Sequence, residues 1–263
     1  MVSGASSGIG AATAREFARR GARVMLLARN TSALEQVASA IAASGGTAAV
    51  YAVDLANGES TEAVCKSIAA DHGVPDVIVN CAGAGRWLFA PETSPAEAVT
   101  MMQAPYLAAF FLTRVFLDGM VARGSGRIVN VNSPAAIFPW PGATGYSAAR
   151  WALLGFTQAL RVDLDGTGVG ITHVIAGEVE SGYWEHNPGA RERLPGISRY
   201  FGTLTPSQVA EAIVRGVERD RANVIVPFTL RIVAALNSLW SWPTRRLLIA
   251  TSRARLKNSP KAP

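Results

Sequence analysis

Sulfur and imidazole are scarce in this chain. Its only cysteines, Cys65 and Cys81, stand in unrelated contexts and form no C-x-x-C pair. That excludes a disulfide scaffold and a thiolate metal site, and it makes a reducing compartment, the cytoplasm, the default. Of the three histidines, His173 falls in an apolar run and reads as a core or loop-edge residue. His72 and His186 read as surface residues, and no metal is expected. No charged n-region with an apolar h-region opens the chain, so no signal peptide is expected. No uninterrupted apolar run reaches the roughly 18 residues that suggest a spanning helix. Internal repeats and low-complexity linkers are missing too. Acids are absent from Thr229 to Pro263, where Arg231, Arg245, Arg246, Arg253, Arg255, Lys257 and Lys261 stand alone. The formal net charge is +6, so everything before residue 229 is close to neutral. The basic character belongs to a tail, and no nucleic-acid partner is expected.

What is present is an ordered globular composition. The 263 residues are 49% hydrophobic and 17% charged, enough for a sizeable core. Apolar β-branched runs at 22–28, 47–54, 75–80, 126–132, 169–175 and 223–227 read as buried strands. Helical patterns alternate with them at 10–20, 33–44, 60–71, 95–121, 144–165 and 207–218. Such β–α alternation predicts an α/β fold, a doubly wound parallel sheet with helices on both faces. Residues 182–204, rich in Gly, Pro and aromatics, read as a long loop or small helical lid. The body is taken as 1–228 with that lid, and 229–263 as a basic amphipathic extension.

The chain opens "MVSGASSGIG", with Gly4, Gly8 and Gly10 spaced G-x3-G-x-G. Glycines between a strand and a helix permit a tight turn and close approach to a ligand, and the new helix offers free N–H groups to a phosphate. Together with "VD" at 53–54, "NCAG" at 80–83, Ser133 thirteen residues before Tyr146, and "AGEVES" at 176–181, this pattern resembles the short-chain dehydrogenase/reductase family over roughly 1–228. The resemblance implies a Rossmann fold and a bound dinucleotide. It assigns the cofactor to the turn of Gly4, Ser6, Ser7, Gly8, Ile9 and Gly10, and to Asp54 and Leu55 near the adenine. It adds Asn80, Ala82 and Gly83 at the supporting turn, and Gly177, Val179 and Ser181 near the nicotinamide. Ala176 replaces the family's proline. The second strand ends in Ala28 and Arg29. No carboxylate stands there to repel a 2′-phosphate and a guanidinium can grip it, so NADP(H) is expected over NAD(H). The competing reading has Arg29 merely capping a surface turn.

For catalysis the resemblance implies Ser133, Tyr146 and Arg150, the last two also touching cofactor. Tyr146 and Arg150 lie one turn apart on a predicted helix. Tyr146 would exchange a proton with the substrate oxygen, and Ser133 would hydrogen-bond that oxygen. Free tyrosine titrates near pH 10, so a neighbouring cation is needed to favour phenolate. The family's YxxxK reads "YSAAR" here. Arg150 keeps the charge but cannot lose a proton, and its head is planar and bulkier. Pro105 falls where the family has a water-holding Asn in a disturbed helix; proline would keep the kink and lose the amide. Two readings stay open: an active oxidoreductase on a hydrophobic alcohol or carbonyl, or a weak or inactive NADP(H)-binding relative serving as sensor or scaffold.

Only Met1, Val2 and Ser3 precede Gly4, so a truncated first strand is expected, from a chain beginning downstream of its true start. Were the sequence complete, its neighbours would lose pairing partners and stability would suffer. Tyr183, Trp184, Tyr200 and Phe201 would cover a bulky apolar substrate, or pack on the body. Trp151 and Phe156 are read as filling core or interface. Residues 229–257 combine apolar side chains, Trp240, Trp242 and arginines, with a split at Pro243. They fit a peripheral membrane contact, or a helix packed on the body or across a subunit interface. Family members pair through two long helices, here 95–121 and 144–165, which implies a homo-dimer or tetramer.

Overall fold

The computed structural model describes residues 1–83, 85–185 and 187–252. Seven parallel strands form one sheet in the order β3-β2-β1-β4-β5-β6-β9. These are β1 (Val2–Ser3), β2 (Arg23–Ala28), β3 (Thr47–Ala52), β4 (Val77–Asn80), β5 (Gly126–Asn132), β6 (Val169–Ala176) and β9 (Asn223–Val226). A separate pair, β7 (Glu178–Val179) with β8 (Thr203–Leu204), brackets the 182–204 segment. That segment holds short 3-10 turns at Arg191–Arg193 and Gly196–Tyr200.

Helices cover both faces, which is why the central strands are apolar on both sides. On one side α1 (Gly8–Arg19), α2 (Thr31–Ala43) and α7 (Pro206–Glu218) bury Ala14, Leu34, Ile41 and Ile213. On the other, α3 (Gly58–His72), α5 (Ala108–Arg123) and α6 (Thr144–Asp163) bury Ile68, Leu112, Phe116, Met120 and Leu160. Side-chain caps start several helices: Asn30 on α2, Asn57 on α3, Ser94 on α4 (Pro95–Met102) and Thr205 on α7. Each satisfies an amide the helix cannot reach.

β1 is two residues long, yet it pairs on both sides: Val2 lies opposite Leu26 of β2 and Val79 of β4. Met1 extends the ladder, its carbonyl accepting from Val79 N at 2.9 Å.

The helix expected at 95–121 is interrupted. Between α4 and α5 a π-turn runs from Gln103 to Leu107, with Pro105 buried inside it. Proline has no N–H to offer Met101, so the ladder widens, and Ala108 N bonds Gln103 O instead. The whole run 95–123 is long and apolar enough, by length and composition, to cross a membrane. That qualifies the absence of such a run in the sequence reading. Leu112, Phe116 and Met120 nonetheless pack it into the core.

The tail forms α8 (Phe228–Leu239) and α9 (Ser241–Thr251), joined at extended Trp240. The expected break at Pro243 therefore falls at Trp240; Pro243 sits in the first turn of α9, where a missing N–H costs nothing. Leu230 and Leu248 anchor the pair against Phe138 and Ile175. His186, Arg253, Arg255, Lys257 and Lys261 lie outside the described residues, and so does the end of the 229–257 stretch.

His173 is a core residue of β6, 4% exposed, with Nε2 3.1 Å from Asn132 Nδ2. Burial, aided by the Arg161 charge, pushes its imidazole down to about 4. The unfolded chain takes up this proton near pH 6.5 and the folded chain only near pH 4, so stability is lost as pH falls through that window. Urea unfolding should show about 3 kcal/mol lost on this account. His173→Gln should flatten that part of the pH profile.

Candidate functional site

Between Ser3 and Gly8 the chain folds back on itself. Gly4 and Gly8 hold φ of +66° and +53°, a region that favours glycine. A Cβ on Gly10 would lie 2.2 Å from Gly4 O, and one on Gly4 would lie 2.9 Å from the Ala82 backbone. Ser3 Oγ accepts from Cys81 N at 3.0 Å and Ala82 N at 3.1 Å, clamping the two turns together. Ser7 is the N-cap of α1 and makes no side-chain cap bond, so the first-turn amides face the mouth of the turn. A dinucleotide pyrophosphate fits this cradle, which side chains at Gly4 and Gly10 would fill. Ser6 is half-buried beside it, and Ile9 packs on the core. A Cβ on Gly8 would stand 3.6 Å from Ser181 Cβ, which brings Ser181 to the same mouth. Gly177 backs onto Pro227, and Val179 is buried in β7. These two therefore shape the stretch that leads into Ser181.

At the ends of β2 and β3 stand Arg29 and Asp54, both exposed. Asn30, next to Arg29, is committed to capping α2 through Ala33 N at 3.0 Å. Arg29 itself is not the cap. Asp54 Oδ1 accepts from Ala56 N at 3.1 Å and turns the chain, while Leu55 is buried beneath.

The Asn80 side chain points inward. Its Nδ2 donates to Asn130 Oδ1 at 2.8 Å, and Asn130 Nδ2 donates to Thr157 Oγ1 at 2.9 Å. This buried chain ties β4 and β5 to α6. A second frame lies above it. Asn132 Oδ1 accepts from Ser133 N at 2.9 Å, and Asn132 Nδ2 donates to Arg150 O at 3.0 Å. One amide thus holds both the strand end carrying Ser133 and the α6 turn carrying Tyr146 and Arg150. Ser133 Oγ accepts from Ala135 N at 3.3 Å, so its oxygen faces the short turn that starts there.

Tyr146 is 6% exposed and Arg150 8%. The guanidinium lies over the phenol ring, Cζ 4.9 Å from its centroid. Its Nη2 is also where a Cβ on Gly83 would come within 2.9 Å, so only glycine leaves that approach open. Arg150 Nε is buried without a partner among the described residues. Tyr146, Arg150 and Gly83 therefore converge, as do Gly4, Gly8, Gly10 and Ser181, and the clamped 81–83 turn links the groups.

Four aromatic residues complete the site: Trp87, Trp140, Tyr183 and Trp184. Trp87 lies 5.8 Å from Tyr146, ring to ring, and 5.3 Å from Trp140. Trp87 Nε1 donates to Tyr183 Oη at 2.9 Å, and Tyr183 Oη donates to Gly85 O at 3.0 Å. Burial, with the neighbouring Tyr146, pushes the Tyr183 phenol well up, so it stays neutral. Trp184 joins this wall, whereas Tyr200 points to solvent. Tyr183 and Trp184 were legible as lid aromatics. Trp87, Trp140 and Asn132 were missed, though Asn132 adjoins Ser133 in "NVNS".

A family model described as short chain dehydrogenase matches residues 1–191. The probable oxidoreductase EphD of Mycobacterium tuberculosis is 36% identical over 236 residues, covering 84% of this chain and 39% of EphD. The chain thus spans about two fifths of that relative's length. Ketoacyl reductase HetN of Nostoc sp. is 35% identical over 227 residues, covering 86% of this chain and 77% of HetN. A metagenomic short-chain oxidoreductase solved with NADP superposes with a TM-score of 0.72 at 30% identity, covering 86% of this chain and 94% of its own. With the sheet order, the glycine cradle and these matches together, the chain belongs to the short-chain dehydrogenase/reductase family.

Proposed function

We propose that the protein is an NADP(H)-dependent oxidoreductase interconverting a secondary alcohol and a ketone or aldehyde on a hydrophobic small molecule. The observation that carries this reading is the Asn132 frame, which joins Ser133 to the Tyr146–Arg150 turn through bonds of 2.9 and 3.0 Å. A hydroxyl and a phenol held in one rigid frame suit proton exchange with a substrate oxygen. Tyr146 gives the proton to a carbonyl or takes it from an alcohol, and Ser133 hydrogen-bonds the same oxygen as charge builds on it. Arg150 supplies fixed positive charge and, being unable to lose a proton, passes none along. The nicotinamide, when bound, supplies or accepts the hydride. Trp87, Trp140, Tyr183 and Trp184 exclude water and favour an apolar substrate.

The cofactor is NADP(H). Arg29 stands exposed at the end of β2, which itself closes on no acidic residue, and the metagenomic relative was solved with NADP. Gly4, Ser6, Ser7, Gly8, Ile9 and Gly10 would hold the pyrophosphate, with Asp54 and Leu55 at the adenine. Gly83, Tyr146, Arg150 and Ser181 would line the nicotinamide side. We place the working unit at 1–228, with 182–204 over the substrate and 229–263 appended. A homo-dimer or tetramer accords with exposed Phe110, Trp151 and Val162 on α5 and α6.

Two observations favour the second reading, a slow or silent cofactor-binding protein. Arg150 lies over the face of the Tyr146 ring, and Pro105 brings no amide to the π-turn. Tyr146 and Arg150 substitutions separate the readings, and an Arg29 substitution tests the cofactor both share. Tyr146→Phe should lower NADPH consumption with hydrophobic ketones about a hundredfold or more while NADPH still binds; an unchanged rate would remove Tyr146 from the chemistry. Arg29→Ala should weaken NADPH binding about tenfold or more and leave NADH unchanged, by titration. Arg150→Lys should change kcat by less than about tenfold if the present site is competent; a gain of about a hundredfold supports the slow reading.

A further inference from the structure

We infer that α8 and α9 form a docking surface for an anionic lipid bilayer and lie in its interface, apolar side inward. Leu230 of α8 is fully buried against the body, whereas Phe228, Ile232, Leu236 and Leu239 are 70%, 48%, 59% and 86% exposed. At the helical repeat these four share one stripe, opposite Leu230. A contiguous apolar stripe facing water marks an interaction site. With 12 residues, α8 is too short to span a bilayer, which takes about 20, and has the length of an interfacial segment.

The charges identify the occupant. Arg231 flanks the stripe, and Arg245 and Arg246 are exposed on α9. Trp240 and Trp242, both exposed, stack at 6.3 Å with their planes 21° apart, and Arg246 Cζ sits 5.2 Å over the Trp242 ring. Amphipathic indoles beside guanidinium groups suit the headgroup level. Arg231 also lines an open cleft of about 620 Å³ with Arg219 and Arg221, extending the positive field onto the body. Thr229 to Pro263 contains no acid. A second copy docked on the same face would therefore set arginines against arginines. Anionic headgroups complement them, each cation near the surface adding to the attraction.

Flotation of the full chain tests this, using vesicles of phosphatidylcholine alone and of phosphatidylcholine mixed with phosphatidylglycerol. The protein should float with the mixed vesicles at low salt and be released as salt rises. Ile232→Glu with Leu236→Glu should abolish flotation. Arg245→Gln with Arg246→Gln should weaken partitioning about thirtyfold. All four altered positions are on the surface, so melting temperature and NADPH binding should hold. The proposal is overturned if the mixed vesicles bring up no protein, or if both vesicle types bind equally. It is also overturned if the glutamate variant loses oligomeric mass while vesicle binding is unaffected, which would make a second copy the occupant. Flotation needs no turnover, so its failure and the failure of the oxidoreductase reading are distinguishable.

Discussion

At the end of β1 the Gly4 carbonyl, the Gly10 backbone and the Ala82 backbone meet so closely that side chains at Gly4 and Gly10 are sterically excluded. Ser3 fastens the same point by accepting the Cys81 and Ala82 amides. A strand of two residues is held in register here, between β2 and β4. The order of strands reverses direction at this place, β1 leading to β2 and β3 on one side and to β4 on the other. A crevice at such a switch point is where open α/β sheets take ligands. The steric constraint thus sets both the pairing of β1 and the position of the cradle.

The reacting groups are organised by a different device. Neither Ser133 nor Tyr146 is fixed by its own element alone. Asn132 bonds the backbone on both sides, and its Nδ2 also meets neutral His173 in β6. Below it, Asn80, Asn130 and Thr157 repeat the arrangement with side chains only. Two stacked polar frames therefore lock α6 to the sheet where a wholly apolar contact would leave its axial position less defined.

Much of this was legible in the chain. Buried parallel strands are continuous apolar runs, and β2, β5 and β6 lie within a residue or two of where those runs place them. The glycine spacing located the cradle, and Pro105 marked the interrupted helix. What local pattern could not show was long-range. Trp87 reaches Tyr183 across 96 positions, and neither residue carries a local mark of that bond. Asn132 looks like any strand-end amide until α6 and β6 supply its partners. The tail break at Trp240 was misplaced because proline was read as a helix end, although a first turn accepts it.

Of the six tryptophans, Trp87, Trp140 and Trp184 stand in ring contact around Tyr146. Trp151, Trp240 and Trp242 are exposed. The protein's intrinsic emission accordingly divides into two populations. Trp87 is buried and Trp140 and Trp184 are half-buried among aromatic rings, so the inner set sits in the less polar surroundings. The outer set, exposed to water, is expected to emit further to the red. Pocket and surface are separately coded in one optical signal, without any added label.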